Sequence, residues 1–303
     1  MSLKPKVSIV LLNYLHWKDT IACLESIYEH INYSNYELII VDNLSPNDSV
    51  EALTNYINQL SVVNKPILNV NQANLGFANG NNLGISLALA RGADFVWLLN
   101  NDTFIKDDAL SPMLKAYKGN VGILGSKLIF YPSDNLIQAV GATINKFSSK
   151  IVQIGFNEKD KGQYDNKSLA VDFVVGASLF VSREFLEKVG MLSEDYFMYF
   201  EELDWSLRAK KKGFKTDVCT SSVVYHKQGL TTKNQALGEK NKVAMYFQFK
   251  NLLLIYRKYF WYYYPIVLLV VFLRVLKFNL ANGLKDLDLF YKVFLKPKKF
   301  SFE

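Results

Sequence analysis

The chain has 303 residues, half of them hydrophobic, which is enough for one large core or a core with a small appendage and too apolar for a disordered chain. Its two cysteines, Cys23 and Cys219, lie far apart with no Cys or His at metal-ligand spacing, which argues against a disulfide scaffold or a zinc module. The net charge of +7 is unevenly distributed: residues 1–235 carry 23 basic against 24 acidic side chains, and residues 236–303 carry 12 against 4.

In chain order, the start Met1-Ser-Leu-Lys-Pro-Lys runs directly into Lys6 to Leu12, a short β-branched run suited to a buried strand. It lacks the length and the small-residue cleavage site of a signal peptide, so the expectation is a cytoplasmic catalytic part. Ile21, Leu24, Ile27, Tyr28 and Ile31 then recur at helical spacing. Glu37 to Val41 is a second strand, ending at Asp42-Asn43 before a turn-rich segment that opens a helix through Tyr56 and Ile57. Ile67 to Val70 is a third strand, Gly84 to Ala90 belongs to the next helix, and Phe95 to Leu99 is a fourth strand ending at Asn100-Asn101-Asp102. This alternation predicts an α/β domain with a mainly parallel sheet. In such a sheet the ligand crevice lies beyond the carboxyl ends of the strands, where Asn13, Asp42 and Asn100 to Asp102 are expected to converge.

The pattern is irregular over residues 120–180, with strand-like pieces at Val121 to Phe130, Ala139 to Ile144 and Val171 to Val181. A charged helix follows over Tyr199 to Lys212, with Gly213 as its C-cap. Chemistry-bearing residues gather in a few places. A carboxylate beside amide oxygens at a strand end, as in Asn100 to Thr103, suits a hard divalent cation bridging phosphates, although the same residues commonly cap turns. Asp42 suits a ribose or base edge, or an ordinary turn, and no GxGxxG follows the first strand. The segment Asn74 to Asn82 offers Gly76 and Gly80 for close backbone approach and several amides to a nucleotide or sugar, or simply caps a helix. Glu201, Glu202 and Asp204, crowded beside aromatic rings, have the setting that raises carboxylate pKa values and suits a general base, or they form a solvated helix start. His226, after Val223 to Tyr225, is a structural histidine or a metal ligand.

Taken together, the motifs VSIVLLNY (7–14), LIIVDN (38–43), NLGFANGNN (74–82), WLLNNDT (97–103), VVGASLFVSRE (174–184), YFMYFEELDWSLRAKKKGF (196–214) and VVYHKQG (223–229) resemble the inverting family-2 glycosyltransferases of GT-A fold, especially the rhamnosyltransferase-like branch. The resemblance spans roughly residues 6–232 and implies a Rossmann-like GT-A domain over 1–235. It implies that Asp42 contacts the nucleotide base beside Asn13, that Asn74 and Gly76 line the nucleotide pocket with Asn101, and that Gly176 and Ala177 border the donor sugar. Asp102 would hold Mn2+ or Mg2+ on the diphosphate of a nucleotide-sugar donor, with His226 as a further ligand. Glu201 or Glu202 would deprotonate the acceptor hydroxyl, Glu201 being favoured, while Asp204 and Trp205 shape the acceptor side. Two departures stand out: Asn100 occupies the place of the first acid of the metal motif, and Glu-Glu replaces the more usual Glu-Asp. The alternatives are a non-catalytic nucleotide-sugar or carbohydrate binder on the same fold, and a nucleotidyltransferase, which the glycine-free stretch 12–20 disfavours.

The tail, 236–303, joins its basic excess to the longest apolar run, Tyr259 to Leu273. That pairing points to an anionic membrane surface and away from nucleic acid. At fifteen residues, interrupted by Pro265 and closed by Arg274, the run falls short of the ~20 a spanning helix needs, so an interfacial or re-entrant helix within 257–300 is expected, with a buried core helix as the alternative. Leu284, Leu287, Tyr291, Phe294 and Leu295 recur at helical spacing, to lie on lipid or form a homodimer contact. The expected setting is the cytoplasmic face of the cell membrane, with a glycan or polyprenyl-linked acceptor.

Overall fold

The computed structural model describes residues 4–133, 135–165, 167, 169–227, 239–281 and 293–294. The chain divides into two compact units, the first formed by 1–143, 152–197 and 201–228, the second by 144–151, 198–200 and 229–303.

The first unit is built on a curled sheet in the order β3-β2-β1-β4-β10-β6-β11-β5, with β7 on β6. β1 (Val7–Asn13), β2 (Tyr36–Asp42), β3 (Ile67–Val70) and β4 (Phe95–Asn100) are all parallel, joined through α1 (Trp17–His30), α2 (Ser49–Gln59) and α3 (Gly76–Ala90). β5 is Thr103–Phe104, followed by α4 (Leu110–Ala116), β6 (Val121–Phe130), β7 (Ile137–Ala139), β8 (Ala142–Ile144), β9 (Ile151–Gln153), β10 (Ser178–Ser182) and α5 (Arg183–Val189). α6 is Glu201–Lys211, and β11 is Lys215–His226. β10 runs antiparallel between β4 and β6, whereas β11 is parallel to β6.

β1 is buried on both faces, which is why its sequence is mostly apolar, its one interior polar side chain, Ser8, donating to Glu37. Val7, Ile9 and Leu11 enter one cluster with Cys23, Leu24 and Ile27 of α1, while Val10 enters the other with Ala78, Ile85, Phe185 and Trp205 from α3, α5 and α6. α3 sits close on the sheet through its glycines: a Cβ at Gly80 would lie 2.4 Å from Leu12 Cδ1 and one at Gly84 2.3 Å from Val10 Cγ1. The close approach that Gly80 allows is thus helix to strand, where the sequence suggested chain to ligand.

Three boundaries differ from the sequence reading. The strand-like piece expected over Val171 to Val181 is a strand only over Ser178–Ser182, because residues 176–177 form a turn. The stretch Ala139 to Ile144 is broken at Gly141, with φ of 96°, into β7 and β8. The helix expected from Tyr199 begins at Glu201, because Tyr199 and Phe200 have φ of 68° and 74°, outside the helical region.

In the second unit, α7 (Glu239–Tyr259), a 3-10 turn (Trp261–Tyr263) and α8 (Tyr264–Ala281) follow one another. Pro265 lies in the first turn of α8, where its missing N–H costs no helical bond, so it helps start the helix that it was expected to interrupt. α8 buries Val267, Val271, Val275 and Asn279, a four-residue repeat along one stripe. Trp261–Leu280 is long and apolar enough to cross a membrane, with mean hydropathy 1.7. Asn251 of α7 donates to the carbonyls of Met198 and Tyr199, at 2.8 and 3.0 Å, and so holds the short left-handed segment of this unit. The helix repeat expected over 284–295 lies almost wholly outside the described residues, as does the expected boundary at 235.

Gly84→Ala should lower stability by about 1–3 kcal/mol through overpacking against Val10. That outweighs the gain of up to about 1 kcal/mol that alanine brings to a helix interior. Chemical denaturation should show a lower midpoint with an unchanged slope.

Candidate active site

The parallel register sets the strand ends side by side: Asn13 pairs with Asp42 across β1 and β2, and Leu12 with Asn100 across β1 and β4. Asn13 is fully buried and links the ends. Its Nδ2 donates to Asp42 Oδ2 at 2.6 Å, and its Oδ1 accepts from Thr20 Oγ1 at 2.8 Å and from Asn101 Nδ2 at 3.3 Å. Asp42 is also fully buried, accepting from Ser45 N at 2.7 Å and Ser45 Oγ at 2.8 Å. In this conformation Asp42 presents no surface to a base, contrary to the direct contact expected; it fixes the Ser45 turn instead.

The neighbouring amides form a second linked group. Asn43 Nδ2 donates to Asn74 Oδ1 at 3.1 Å and to the Gly76 carbonyl at 3.0 Å, and Asn74 Oδ1 also accepts from Gly76 N at 3.1 Å. Gly76 has φ of 90°, and a Cβ there would sit 2.3 Å from the Phe197 carbonyl, so no other residue fits this turn without moving the chain.

Asp102 and His226, far apart in sequence, meet because β5 and β11 pair antiparallel with Thr103 opposite His226, while Lys227 N donates to the Asp102 carbonyl at 3.0 Å. His226 Nε2 lies 3.1 Å from Asp102 Oδ1, and both side chains are largely buried. Gln138 Oε1, on β7, is 3.0 Å from His226 Nδ1 and accepts its proton, which leaves Nε2 as the ring atom facing the carboxylate. Two lone pairs at that distance repel unless a positive charge lies with them, either a proton on the ring or a metal ion. Burial pushes the Asp102 carboxyl up, but the hydrogen bond and electrostatic attraction of His226 outweigh it and hold the group below its ordinary value.

The donor set fits a divalent cation. Adjacent ligands of an octahedral ion at ~2.1 Å stand about 3 Å apart, close to the observed 3.1 Å, and an imidazole whose other nitrogen is held by an amide is the usual form of a ligating histidine. Among the described residues no cluster of three or more His, Cys, Asp or Glu side chains is poised to bind a metal, so the remaining ligands would be diphosphate oxygens or water.

The acidic group divides sharply. Glu201 is buried at the start of α6, its Oε2 without a hydrogen-bond partner, and burial together with the charge of Glu202 holds its carboxyl well above the usual range. A Cβ at Gly176 would be 3.8 Å from Glu201 Oε1, which places that glycine beside the carboxylate, and the Ala177 carbonyl accepts from Asn100 N at 3.0 Å, tying this segment to the end of β4. Glu202, the adjacent acid, is only half-buried. Asp204 is a correction. It is fully buried, with Oδ2 2.7 Å from Arg208 Nε and Oδ1 3.3 Å from the Tyr196 hydroxyl, and Arg208 continues to the carbonyls of Val189 and Met191. Asp204 therefore anchors α6, and Trp205, buried with its indole N–H on the Gly190 carbonyl, does the same.

Sequence reasoning missed Thr20, Ser45, Gln138 and Lys227. Lys227 pairs with Asp19 beside the Asp102 and His226 pair, and its position directly after His226 was the available signal. Gln138 carried none, because its role arises from sheet pairing alone.

A curled, mainly parallel α/β sheet with polar residues gathered at its strand ends is the GT-A glycosyltransferase fold. Residues 8–190 match glycosyl transferase family 2, and the chain belongs to that family. It is 23% identical over 228 residues to the low-salt glycan biosynthesis hexosyltransferase Agl10 of Haloferax volcanii, covering 73% of this chain and 67% of that one. It is 23% identical over 252 residues to the dTDP-rhamnosyl transferase RfbF of Shigella flexneri, covering 78% and 75%. An uncharacterized protein of Sinorhizobium fredii, y4gI, is 29% identical over 244 residues, 78% of this chain but only 26% of that protein. Among solved structures, GalNAc-T7 with UDP, GalNAc and Mn2+ aligns with a TM-score of 0.62 over 75% of this chain and 44% of its own, at 14% identity. The mannosyltransferase PcManGT of Pyrobaculum calidifontis, with GDP-Man and Mn2+, aligns with a TM-score of 0.59 over 90% and 70%, also at 14% identity.

The raised Glu201 carboxyl has a stability consequence. Because its folded pKa lies above the unfolded value, ionisation costs more in the folded state, and stability is lost as pH rises past the unfolded pKa, ~4.3. Glu201→Gln should therefore raise the melting temperature near neutral pH, with the gain shrinking as pH falls towards the unfolded pKa and absent below it, in thermal unfolding followed against pH.

Proposed function

We propose that this glycosyltransferase moves a sugar, rhamnose or a hexose, from a nucleotide-diphosphate donor to a hydroxyl of a glycan or polyprenyl-linked acceptor, with inversion, in cell-surface polysaccharide biosynthesis. The observation that carries the reading is Glu201, a buried carboxylate whose Oε2 has no hydrogen-bond partner, with a cation-ready Asp102 and His226 pair in the same fold unit. The relatives support the donor class: one is named a hexosyltransferase, one a dTDP-rhamnosyl transferase, and two solved neighbours hold UDP or GDP-Man with Mn2+. A deoxythymidine-diphosphate rhamnose donor ranks first and a UDP-hexose second.

In the reaction the acceptor oxygen bonds to the anomeric carbon as the bond to the diphosphate oxygen breaks, and the hydroxyl proton passes to Glu201. A raised pKa makes Glu201 a stronger base once ionised, which suits proton abstraction from a hydroxyl. Attack from the face opposite the leaving group inverts the centre. Asp102 and His226 would hold Mn2+ or Mg2+, which when bound stabilises the charge of the departing nucleoside diphosphate. Asn13, Asn101 and Asp42 brace the strand ends that receive the donor, and the Asn43, Asn74 and Gly76 turn shapes the nucleotide side. Gly176 leaves room for the sugar beside Glu201. The basic tail and the apolar Trp261–Leu280 segment support a location on the cytoplasmic face of the membrane, where a lipid-linked acceptor presents its hydroxyls.

A screen of nucleotide sugars with Mn2+, Mg2+ or EDTA should find metal-dependent release of nucleoside diphosphate from one donor. Glu201→Ala should reduce it by about 10²–10⁴-fold, and Asp102→Ala should abolish the metal dependence. Binding of a donor without turnover, with lipid acceptors supplied, would instead favour the non-catalytic binder. Gln138→Ala should raise the Mn2+ concentration for half-maximal activity by about 10–100-fold with little change at saturation. In Glu202→Gln the acid limb of kcat/KM should move to lower pH, since the charge that raises the Glu201 pKa is gone.

A further inference from the structure

The second unit has an unusual charge makeup. Its described side chains, 144–151, 198–200, 243–281 and 293–294, include seven lysines and arginines and not one aspartate or glutamate. The first unit has nothing comparable, because residues 1–235 are close to charge balance. Over the whole tail, 236–303, basic residues outnumber acidic ones by 12 to 4, and so large an excess of one sign favours an anionic partner.

The same unit displays its largest aromatic side chains to solvent. Phe147, at the tip of the hairpin joining β8 and β9, is 62% exposed, and Trp261 and Tyr262 in the 3-10 turn are 61% and 74% exposed. These residues come from distant parts of the chain but form one place. The Phe147 ring meets Tyr263 edge-on at 6.5 Å, the Lys146 ammonium lies 5.4 Å over the Phe260 ring, and the Tyr256 hydroxyl donates to the Asn145 carbonyl at 3.3 Å. The hairpin tip is thereby fixed to the junction between α7 and α8. Exposed Lys146, Lys150, Arg257 and Lys258 lie on the same segments.

α8 extends the pattern. Opposite its buried valine stripe it exposes Ile266, Leu269, Leu273, Leu276 and Leu280, spaced three or four residues apart, with Arg274 and Lys277 also exposed along one edge of that stripe. An apolar stripe edged by cations, ending in Trp and Tyr, has the composition of a segment lying at a headgroup boundary.

We propose that the β8–β9 hairpin tip and the Trp261–Tyr263 turn form a single docking face for an anionic phospholipid bilayer. Phe147, Trp261 and Tyr262 enter the headgroup region, and Lys146, Lys150, Arg257 and Lys258 lie against the lipid phosphates. This rests on the membrane reading of the tail and extends it to a hairpin far from the tail in the chain. The charge makeup favours lipid over a second copy of this chain, since two copies of so basic a face would repel.

The test uses the full-length protein with vesicles of phosphatidylcholine, alone or mixed with phosphatidylglycerol, carrying brominated acyl chains that quench tryptophan. Two reporters are compared: the native protein, with Trp261, and a Phe147→Trp, Trp261→Phe variant. Both should bind only the anionic vesicles and both should be quenched, and Phe147→Ser should weaken partitioning by about tenfold, the worth of burying a large apolar side chain. Phe147 is exposed, so these changes leave the fold intact, and far-UV circular dichroism checks this. Quenching of the native protein without quenching at position 147 overturns the hairpin's part while the tail reading survives. Absence of vesicle binding overturns both. A dimer seen by light scattering and dissociated by Phe147→Ser assigns the face to a second copy and overturns the lipid proposal. Donor turnover with a soluble acceptor, measured separately, keeps each outcome independent of the glycosyltransferase reading.

Discussion

β1 is hydrogen-bonded in parallel on both edges, to β2 and to β4, and buried on both faces. A slip of one residue would turn Val7, Ile9 and Leu11 into the opposite cluster, so the two-sided core allows one register only. That register carries Asn13 to the level of Asp42 and sets Leu12 beside Asn100. The chemistry at the strand ends is therefore positioned by hydrophobic packing some distance beneath it. The polar network from Asp42 through Asn13 to Asn101 then removes the freedom left to the individual side chains.

The site holds two carboxylates in opposite electrostatic conditions. Asp102 has a basic partner and stays ionised, fit for a cation. Glu201 has burial and a like charge beside it, so its ionised form is costly, and that cost is what makes it a competent base. Asp204, the buried Trp205 with its indole N–H on the Gly190 carbonyl, and the Arg208 clamp on the carbonyls of Val189 and Met191 hold α6 in place while its first residue is destabilised. Three acids within four positions thus have separate duties. Asp204 is held by its salt bridge to Arg208, which ties it to the helix and away from the chemistry.

Much of this was legible in the residues. Strands β1 to β4 and the polar strand ends follow from local runs and turn residues, because each depends on near neighbours in sequence. What failed depended on distant ones. Gln138 meets His226 only because β7, β6 and β11 lie side by side in the sheet. Gly80 reads as a ligand-facing glycine until Leu12 is found against it. Tyr199 and Phe200 have no propensity for the left-handed region, so nothing local marks the late start of α6. Pro265 reads as an interruption when the apolar run is taken as one element and as an initiator once the 3-10 turn divides it.

The same distinction explains why the tail drew attention and the hairpin did not. Basic charge and apolar length in one stretch of sequence are visible as composition, whereas Asn145 to Ile151 is a short polar-looking loop with a single phenylalanine. Its chemistry changes when Tyr256, Phe260 and Tyr263 are brought beside it. An exposed phenylalanine alone is unremarkable on any protein surface. One that stands with an exposed tryptophan and tyrosine, in a unit whose basic residues far outnumber its acidic ones, belongs to a surface that suits an anionic partner.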